Sequence, residues 1–513
     1  MRICLWIPVV VSAWLLVACD NGADEPARPT AVVQHGAEAT AAPSATSTPA
    51  RRFDPAVPPG VLVIDYGPRE GWDSGGPGAG RGALVALDAA TGAELDWWEP
   101  INTGHAGSGI PSPDGRSVAF IGSYDFILDP ATGGRVDLRG KAGVLALPVW
   151  AADGQTFYGT YERHEPWSTP AKGGHQVLGT EFWAVDAATG EARQVVEAPF
   201  QVQALRVAAS GGVLYALAFR SEQCCGIDIE GEPFVVAIDV ETGEVSDEIP
   251  VPGVVVGQRF EERGAEGAKM NMLRTPGVAL APDASRLYIA HADDDRVTMV
   301  DLERMEVVAS AAPQSKKSLM GRLGSWVSGL FVSEAKAKGG AYFVKEAAVS
   351  PDGRWLYITG SGAEICETDQ YFPCVEWAPM GLRIIDTGSM EVVAEFEGIG
   401  HMLLTPDGER IVGWAMAYDY RGGGESADEV RYGPYVIDTA TQQLLGVVDP
   451  PVGGWEIAVS PDGRYAYTVT QTLDHQSLLS VIDLERVEVV EERLYQARTL
   501  GLVGLAPRPT HFR

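Results

Sequence analysis

A strand-like run that ends on an aspartate and then turns recurs along this chain. One such run reads FVVAIDVETG at 234–243, and another reads LRIIDTGSME at 382–391. The aspartates that end these runs are Asp88, Asp129, Asp186, Asp239, Asp301, Asp386, Asp438 and Asp483. Self-similarity at roughly 40–60 residues, built from short strands and tight turns, indicates an array of repeats that stack on their neighbours. The repeat therefore constrains the fold more strongly than composition does.

A second recurrent turn precedes most of these runs. Its versions are SPDGR at 112–116, 350–354 and 460–464, AADGQ at 151–155, ASGG at 209–212, APDASR at 281–286 and TPDGE at 405–409. Proline presets φ for a turn, the aspartate side chain caps it, and glycine takes the position with positive φ. We therefore expect four strands per unit, A to D, with this turn between A and B and the aspartate turn between C and D.

These units resemble known propeller repeats. APDASRLYIAHADDDRVTMVDLERMEVVAS at 281–310 looks like the YVTN-type repeat, and SPDGR followed by an aromatic strand resembles TolB-like and WD-repeat-like propellers. The resemblance covers roughly residues 60–507 and implies an all-β propeller of four-stranded blades.

The two ends of the repeat region indicate how the array closes. The first unit begins with a B-like strand at 60–67, and a lone A-like strand at 501–507 follows the last unit. We expect eight four-stranded blades closed by the C-terminal strand, because closure removes exposed sheet edges. Seven blades is the alternative, if the divergent unit at 143–200 is something else.

Residues 1–19 are predicted to be an export signal. Their apolar run of about 15 residues is short for a membrane span and suits a signal peptide. Leu16-Val17-Ala18-Cys19 resembles a bacterial lipobox, which implies that Cys19 is acylated. An ordinary secretory signal or an uncleaved anchor is the alternative.

The mature chain is predicted to have two parts. Residues 20–59 are rich in Ala, Pro and Thr, and they are expected to form a disordered tether. Residues 60–513 are expected to form the propeller. The predicted location is outside the cytoplasm, lipid-anchored to the outer side of the bacterial cytoplasmic membrane or to the cell surface.

Charge excludes one class of partner. The formal net charge is −30 and the pI is near 4.6, whereas nucleic-acid binding requires a basic stripe. We therefore expect no nucleic acid, and an unidentified protein or small-molecule ligand as partner.

The long insertions of the repeat are concentrated on one face. They lie between strands B and C or between D and the next A, whereas the A–B and C–D turns stay short. Insertions confined to one face of a repeat array typically mark its binding face. The candidate binding residues on these insertions are aromatic, as is typical of recognition surfaces: Trp72, Trp167, Tyr371, Phe372, Trp377, Tyr418 and Tyr420. His105 and His401, which lie just before A strands, are further candidates.

Four of the six cysteines lie in the propeller region, all on these insertions. An even count in an exported protein predicts disulfides. Cys366 and Cys374 are expected to pair with each other. Cys224 and Cys225 are expected to form a vicinal disulfide or to pair elsewhere.

Motifs for catalysis are absent from the sequence. There is no Gly-x-Ser-x-Gly elbow, His-Glu-x-x-His pair or phosphate-binding loop, so we assign no catalytic residue, metal ligand or cofactor. ALDAATGAELDWW at 86–98 resembles the tryptophan-docking repeat of quinoprotein dehydrogenases, but its tryptophan is one position late. The leading hypothesis is a non-catalytic binding propeller. The alternative is a central-channel enzyme, either a sugar-lactone hydrolase or a quinoprotein-type dehydrogenase, with His105 and His401 near the channel.

Overall fold

A computed structural model of the chain describes its folded region with short gaps. The described residues are 60–65, 81–102, 109–121, 126–130, 132, 134–138, 140, 142, 145–166, 175–221, 229–263, 268–315, 340–366, 374–421, 425–449, 457–471, 476–495 and 500–503. Among these residues the regular elements are β-strands, and no helix there is long and apolar enough to cross a membrane.

The first half of the chain forms four-stranded antiparallel sheets. Its strands are β1 (Val61–Asp65), β2 (Arg81–Leu87), β3 (Glu94–Asn102), β4 (Ile110–Pro111), β5 (Val118–Phe120), β6 (Phe126–Leu128), β7 (Arg135–Asp137), β8 (Ala146–Trp150), β9 (Thr156–Pro166), β10 (His175–Asp186), β11 (Ala192–Ala198), β12 (Gln201–Val207), β13 (Val213–Arg220), β14 (Glu230–Asp239) and β15 (Ile249–Pro250). Strands β4–β7, β8–β11 and β12–β15 each form one sheet in chain order. The divergent unit at 143–200 is therefore a four-stranded sheet like its neighbours.

The second half continues the pattern and adds to it. Its strands are β16 (Gly257–Arg263), β17 (Ala268–Thr275), β18 (Gly277–Leu280), β19 (Arg286–Ala290), β20 (Val297–Asp301), β21 (Glu306–Ala311), β22 (Gln314–Ser315), β23 (Gly340–Val349), β24 (Trp355–Cys366), β25 (Cys374–Pro379), β26 (Leu382–Asp386), β27 (Glu391–Phe396), β28 (His401–Leu404), β29 (Arg410–Arg421), β30 (Glu425–Asp438), β31 (Leu444–Val447), β32 (Ile457–Val459), β33 (Tyr465–Gln471), β34 (Ser477–Asp483), β35 (Glu488–Tyr495) and β36 (Leu500–Val503). Strands β18–β21 and β32–β35 form four-stranded sheets.

A twelve-stranded sheet contains two further units. Strands β23, β24, β26 and β27 pair in that order, and β28–β31 pair in chain order. Extra strands join these two units, as described below for the candidate site. The four-stranded pattern of the sequence repeat is thus present within the larger sheet.

The last strand of the chain belongs to the first sheet. Strand β36 pairs antiparallel with β1, with Leu62 opposite Val503 and Asp65 opposite Leu500. The resulting order is β3-β2-β1-β36, so the C-terminal strand supplies the A strand that the first unit lacks.

The core lies between sheets and not within any one of them. Consecutive residues of β14 illustrate this: Val235 packs in a cluster with β18–β20, whereas Val236 packs in a cluster with the sheet before it. The same relation joins the last sheet to the first, because Tyr467 of β33 and Val61 of β1 share one cluster. Alternation along a strand puts neighbouring side chains on opposite faces of the sheet, and both faces are apolar here.

The two recurrent turns form as predicted. Oδ1 of Asp239 accepts the backbone N–H of Thr242 at 2.7 Å and its hydroxyl at 2.9 Å. Each of the other seven recurrent aspartates likewise accepts the N–H three residues on. At SPDGR, Ser112 Oγ donates to Asp114 Oδ1 at 2.7 Å, and that oxygen accepts the Arg116 N–H. The recurrent aspartates therefore cap turns, which is a structural role.

Removal of β36 tests its contribution to the first sheet. A chain that ends at Thr499 exposes the edge of β1 and uncovers Val63, which packs beside Leu502. We expect a lower melting temperature and concentration-dependent aggregation, because an unpaired apolar edge templates further pairing. The measurement is thermal melting with light scattering. The matched control is a chain that ends at Val503 and therefore keeps β36. An unchanged melting temperature after removal of β36 would show that this strand contributes little.

Candidate functional site

Several strands are extended on the face that carries the insertions, which is the predicted binding face. The B–C insertions were expected as loops, but the structure shows that several are β-hairpins that prolong strands B and C. Strands β9 and β10 stay paired out to Pro166 and His175, and β29 and β30 stay paired to Arg421 and Glu425. A hairpin forms because the inserted residues continue to satisfy each other's backbone hydrogen bonds.

Neighbouring extensions pair with one another. Strand β25 pairs with β24 on one side and with β29 on the other. On the far side of β24, strand β23 pairs with β17 in parallel. The order β16-β17-β23-β24-β25-β29-β30 is therefore one continuous layer, which we call the upper sheet.

The upper sheet brings together three of the predicted aromatic residues. Trp377 of β25 lies opposite Tyr418 of β29, and Tyr420 lies two positions on, opposite Val375. Directly opposite positions of an antiparallel pair have Cα atoms about 4.5–5.5 Å apart, so the backbone places Trp377 next to Tyr418. This proximity could not be predicted from the sequence, because the two strands belong to different repeats.

Cys366 and Cys374 lie at the closed end of the β24–β25 hairpin. Their backbone positions are direct cross-strand partners, and such positions have Cα separations of about 4.5–5.5 Å, within the range of a disulfide. The pairing of these two cysteines stays a prediction that the register accommodates.

The remaining predicted residues lie outside the described part of the chain. They are Cys19, Trp72, His105, Trp167, Cys224, Cys225, Tyr371 and Phe372. Of the predicted histidines, His401 is described, and it leads to a polar cluster at the base of the upper sheet.

His401 is held by a buried glutamate. Nδ1 of His401 donates to Oε1 of Glu346 at 2.7 Å, while Oε2 of Glu346 accepts the backbone N–H of Met402 at 3.1 Å. Glu346 is 3% exposed, and the side chain of His401 is 34% exposed. The imidazole also lies 5.5 Å from the Trp414 ring. His401 is thus a hydrogen-bonded residue at the base of the upper sheet.

Lys345, the residue before Glu346, points to an acidic loop. Its ammonium donates to the backbone carbonyl of Asp294 in the β19–β20 loop, and burial lowers its pKa to about 8. In the same loop Asp295 binds Arg383 at 2.7 Å, and Arg296 binds Asp294 at 2.6 Å. This arrangement gathers two carboxylates and three cations at the base of the upper sheet.

The β19–β20 loop also contains a buried histidine, His291. His291 has no exposed surface, and burial lowers its pKa, which favours the neutral ring. Its Nε2 lies 2.8 Å from the Thr298 hydroxyl, and its Nδ1 lies 3.6 Å from Asp294 Oδ1. Sequence analysis treated 281–310 only as a repeat; the run HADDDR at 291–296 was the available signal for this cluster.

Another buried cation ties two units together beside this region. Arg206 of β12 donates from Nε to the carbonyl oxygen of Val278 in β18 at 3.1 Å. Burial lowers its pKa to about 9. This side-chain hydrogen bond links the first strands of two consecutive sheets, so its role is structural.

A separate shallow cavity of about 200 Å³ lies on the β9–β10 hairpin. Its lining includes Tyr161, Arg163 and Glu181, and Arg163 also binds Glu197. The nearby Glu162 carboxyl has its pKa raised to about 7 by burial. The cavity is mostly polar, and among the described residues its His164, Glu165 and Glu181 do not converge as metal ligands. We therefore place the candidate site at the upper sheet and its base.

Comparison with known proteins gives fold-level likenesses. No protein-family model matches the chain, and no curated protein matches it. The dihydro-heme d1 dehydrogenase NirN in complex with DHE is 14% identical with a TM-score of 0.45, over 90% of this chain and 79% of that chain. The beta-propeller domain of Cps50 (Swd1) from Myceliophteria thermophila is 13% identical with a TM-score of 0.37, over 79% and 97%. TolB from Acinetobacter baumannii is 12% identical with a TM-score of 0.28, over 63% of each chain.

The strand order and the cores between sheets define the class of protein. It is all-β, built mostly from four-stranded antiparallel sheets, and its fold resembles β-propellers as the sequence predicts. The likenesses are of fold alone, so function has to be argued from the site.

The Glu346–His401 pair is testable by a double-mutant cycle. Glu346→Gln keeps an acceptor for the Met402 N–H but weakens the charged hydrogen bond to His401, so we expect a loss of about 1 kcal/mol of unfolding free energy. Combined with His401→Gln, the two losses should be non-additive by about 1 kcal/mol. Denaturant unfolding of the four proteins measures this. Additive losses would mean that the two side chains do not interact.

Proposed function

We propose that the protein is an exported, lipid-anchored β-propeller that binds a protein or small-molecule ligand through the face bearing the upper sheet, without catalysis. The observation that carries the proposal is the pairing of β25 with β29, which joins extensions of two repeats and sets Trp377 beside Tyr418. Tyr and Trp give large contact area with little loss of conformational entropy, which suits recognition.

The proposed ring has eight blades closed by β36. Its support is the pairing of β36 with β1 and the cluster shared by the first and last sheets. A closed ring fixes the positions of all the upper hairpins relative to one another. A ligand would then meet a surface that is already organised, which reduces the entropy lost on binding.

The Cys366–Cys374 pairing would strengthen this effect. A disulfide across the end of the β24–β25 hairpin restricts the segment that contains Tyr371 and Phe372. The strongly acidic composition favours a partner other than nucleic acid.

The binding face is tested with paired variants. Trp377→Ala with Tyr418→Ala should reduce recovery of bound partners about tenfold or more, because aromatic residues dominate interface energy, while the melting temperature changes little. Asp462→Ala, in a turn on the opposite face, should lower the melting temperature and keep binding. Bound proteins are cross-linked in membrane extracts and quantified, and small molecules are screened by thermal shift.

Two outcomes would contradict the binding proposal. Full binding by the Trp377/Tyr418 variant with loss in Asp462→Ala would mean that the other face binds. Turnover of a sugar lactone, or stabilisation by pyrroloquinoline quinone, would favour the enzyme alternative and would direct attention to His401.

The membrane anchor is tested separately. Cys19→Ala should move the protein from the detergent phase to the aqueous phase, because acyl chains provide the affinity for the membrane. The melting temperature should stay unchanged, since Cys19 precedes the 20–59 tether. Phase partitioning of both forms is the measurement, and continued partitioning of the variant with detergent would show a second membrane contact.

A further inference from the structure

We propose that the β19–β20 loop is a divalent metal site whose ligands are Nδ1 of His291, a carboxylate oxygen of Asp293 and a carboxylate oxygen of Asp294. The three ligand atoms lie within 4.8 Å of one another. Ligands at about 2.1 Å from one ion lie up to about 4.2 Å apart. Ligands that are not on opposite sides of the ion lie about 3–3.4 Å apart, so the widest pair would have to close by up to about 1–2 Å to complete the coordination.

The orientation of His291 is the first argument for an ion. The ring is fully buried, and a hydrogen bond between Nε2 and the Thr298 hydroxyl, which in turn contacts Ser310 at 2.9 Å, fixes it. Such an outer partner is typical of metal-bound histidines, because it orients the ring and sets its tautomer. With Nε2 as donor, Nδ1 presents its lone pair to the carboxylates.

The unsatisfied atoms of the loop are the second argument. Among the described residues, Nδ1 of His291 and Oδ1 of Asp293 are buried without a hydrogen-bond partner. The 3.6 Å separation between Nδ1 and Asp294 Oδ1 is too long for a hydrogen bond. A buried acceptor without a donor costs about 1–3 kcal/mol. One cation between these atoms would satisfy all of them, whereas another acceptor would satisfy none.

The surroundings hold the proposed ligands in place. Nε of Arg296 binds Oδ2 of Asp294, the backbone N–H of Arg296 donates to Oδ1 at 2.8 Å, and Lys345 binds the backbone carbonyl of Asp294. A carboxylate oxygen has a second lone pair, so Oδ1, which lies 3.6 Å from Nδ1 of His291, can still bind an ion. These cations also repel a metal, so we expect moderate affinity. Asp295 is not in the ligand set, because its carboxylate does not meet the other ligand atoms and Arg383 binds both of its oxygens, at 2.7 Å and 3.1 Å.

The donor set selects the kind of ion. One imidazole and two carboxylates suit Mn²⁺, Fe²⁺ or Zn²⁺, whereas Ca²⁺ requires six to eight oxygen ligands. Three protein ligands leave room for water to complete the coordination. The site lies beside Lys345 of β23, so an ion there would brace the acidic loop against the base of the upper sheet.

Metal titration of the full chain tests the site. After chelator treatment, Mn²⁺ is titrated by calorimetry and by thermal melting, because cysteine thiols compete little for this ion. We expect one Mn²⁺ per chain and a raised melting temperature. Asp293→Asn should weaken binding about tenfold or more, as should His291→Asn, while Asp295→Asn should change it less than about twofold.

The choice of variants separates loss of metal binding from loss of folding and from a change in loop charge. Asp293 is only partly buried, so Asp293→Asn is expected to fold even if His291→Asn does not, and Asp295→Asn makes the same charge change in the same loop. Absence of Mn²⁺ and Zn²⁺ binding to the wild-type chain would overturn the proposal and leave a buried water as the partner of these atoms. Equal weakening by Asp293→Asn and Asp295→Asn would also overturn it, since it would reflect loop charge alone.

Discussion

Apolar contact between consecutive sheets is the interaction on which this structure depends. Leu62 packs against the following sheet, and its neighbours Val61 and Val63 pack against the last sheet of the chain. Burial of one such side chain contributes about 1.5–3 kcal/mol. Both faces of these sheets are apolar, so each unit gains stability from its neighbours. Within the described residues, the first and last sheets share one such cluster.

The turns could be predicted from sequence because their chemistry is local. An aspartate followed four residues later by glycine signals a capped turn, and Gly243 has φ of 71° as expected. Yet the same position is left-handed at Met305, Met390 and Val487, with φ of 52–57°. A β-branched residue rarely adopts that conformation. The aspartate cap and the paired strands on both sides thus stabilise the turn even where another residue replaces glycine.

The candidate site was only partly predictable. The sequence indicated His401 and the aromatic positions, but it gave no sign that Glu346, 55 residues earlier, binds His401. This separation is about one repeat, so the two residues lie on the first strands of consecutive units. Similarly, Lys345 meets the Asp294 carbonyl 51 residues away. Contacts of this kind depend on how units stack, and a single unit's pattern does not contain that information.

Strand β23 connects the two levels of the site. Its early residues pair with β17 in the upper sheet, where Phe343 also contacts the Arg274 guanidinium at 4.6 Å. Its later residues, Lys345 and Glu346, hold the acidic loop and His401. Strand β23 pairs with β24 from Gly340 to Val349, whereas its pairing with β17 is limited to Tyr342, Phe343 and Val344. Consecutive residues of one strand thus reach the upper sheet and the buried charges at its base, which a strand pattern read from sequence does not distinguish.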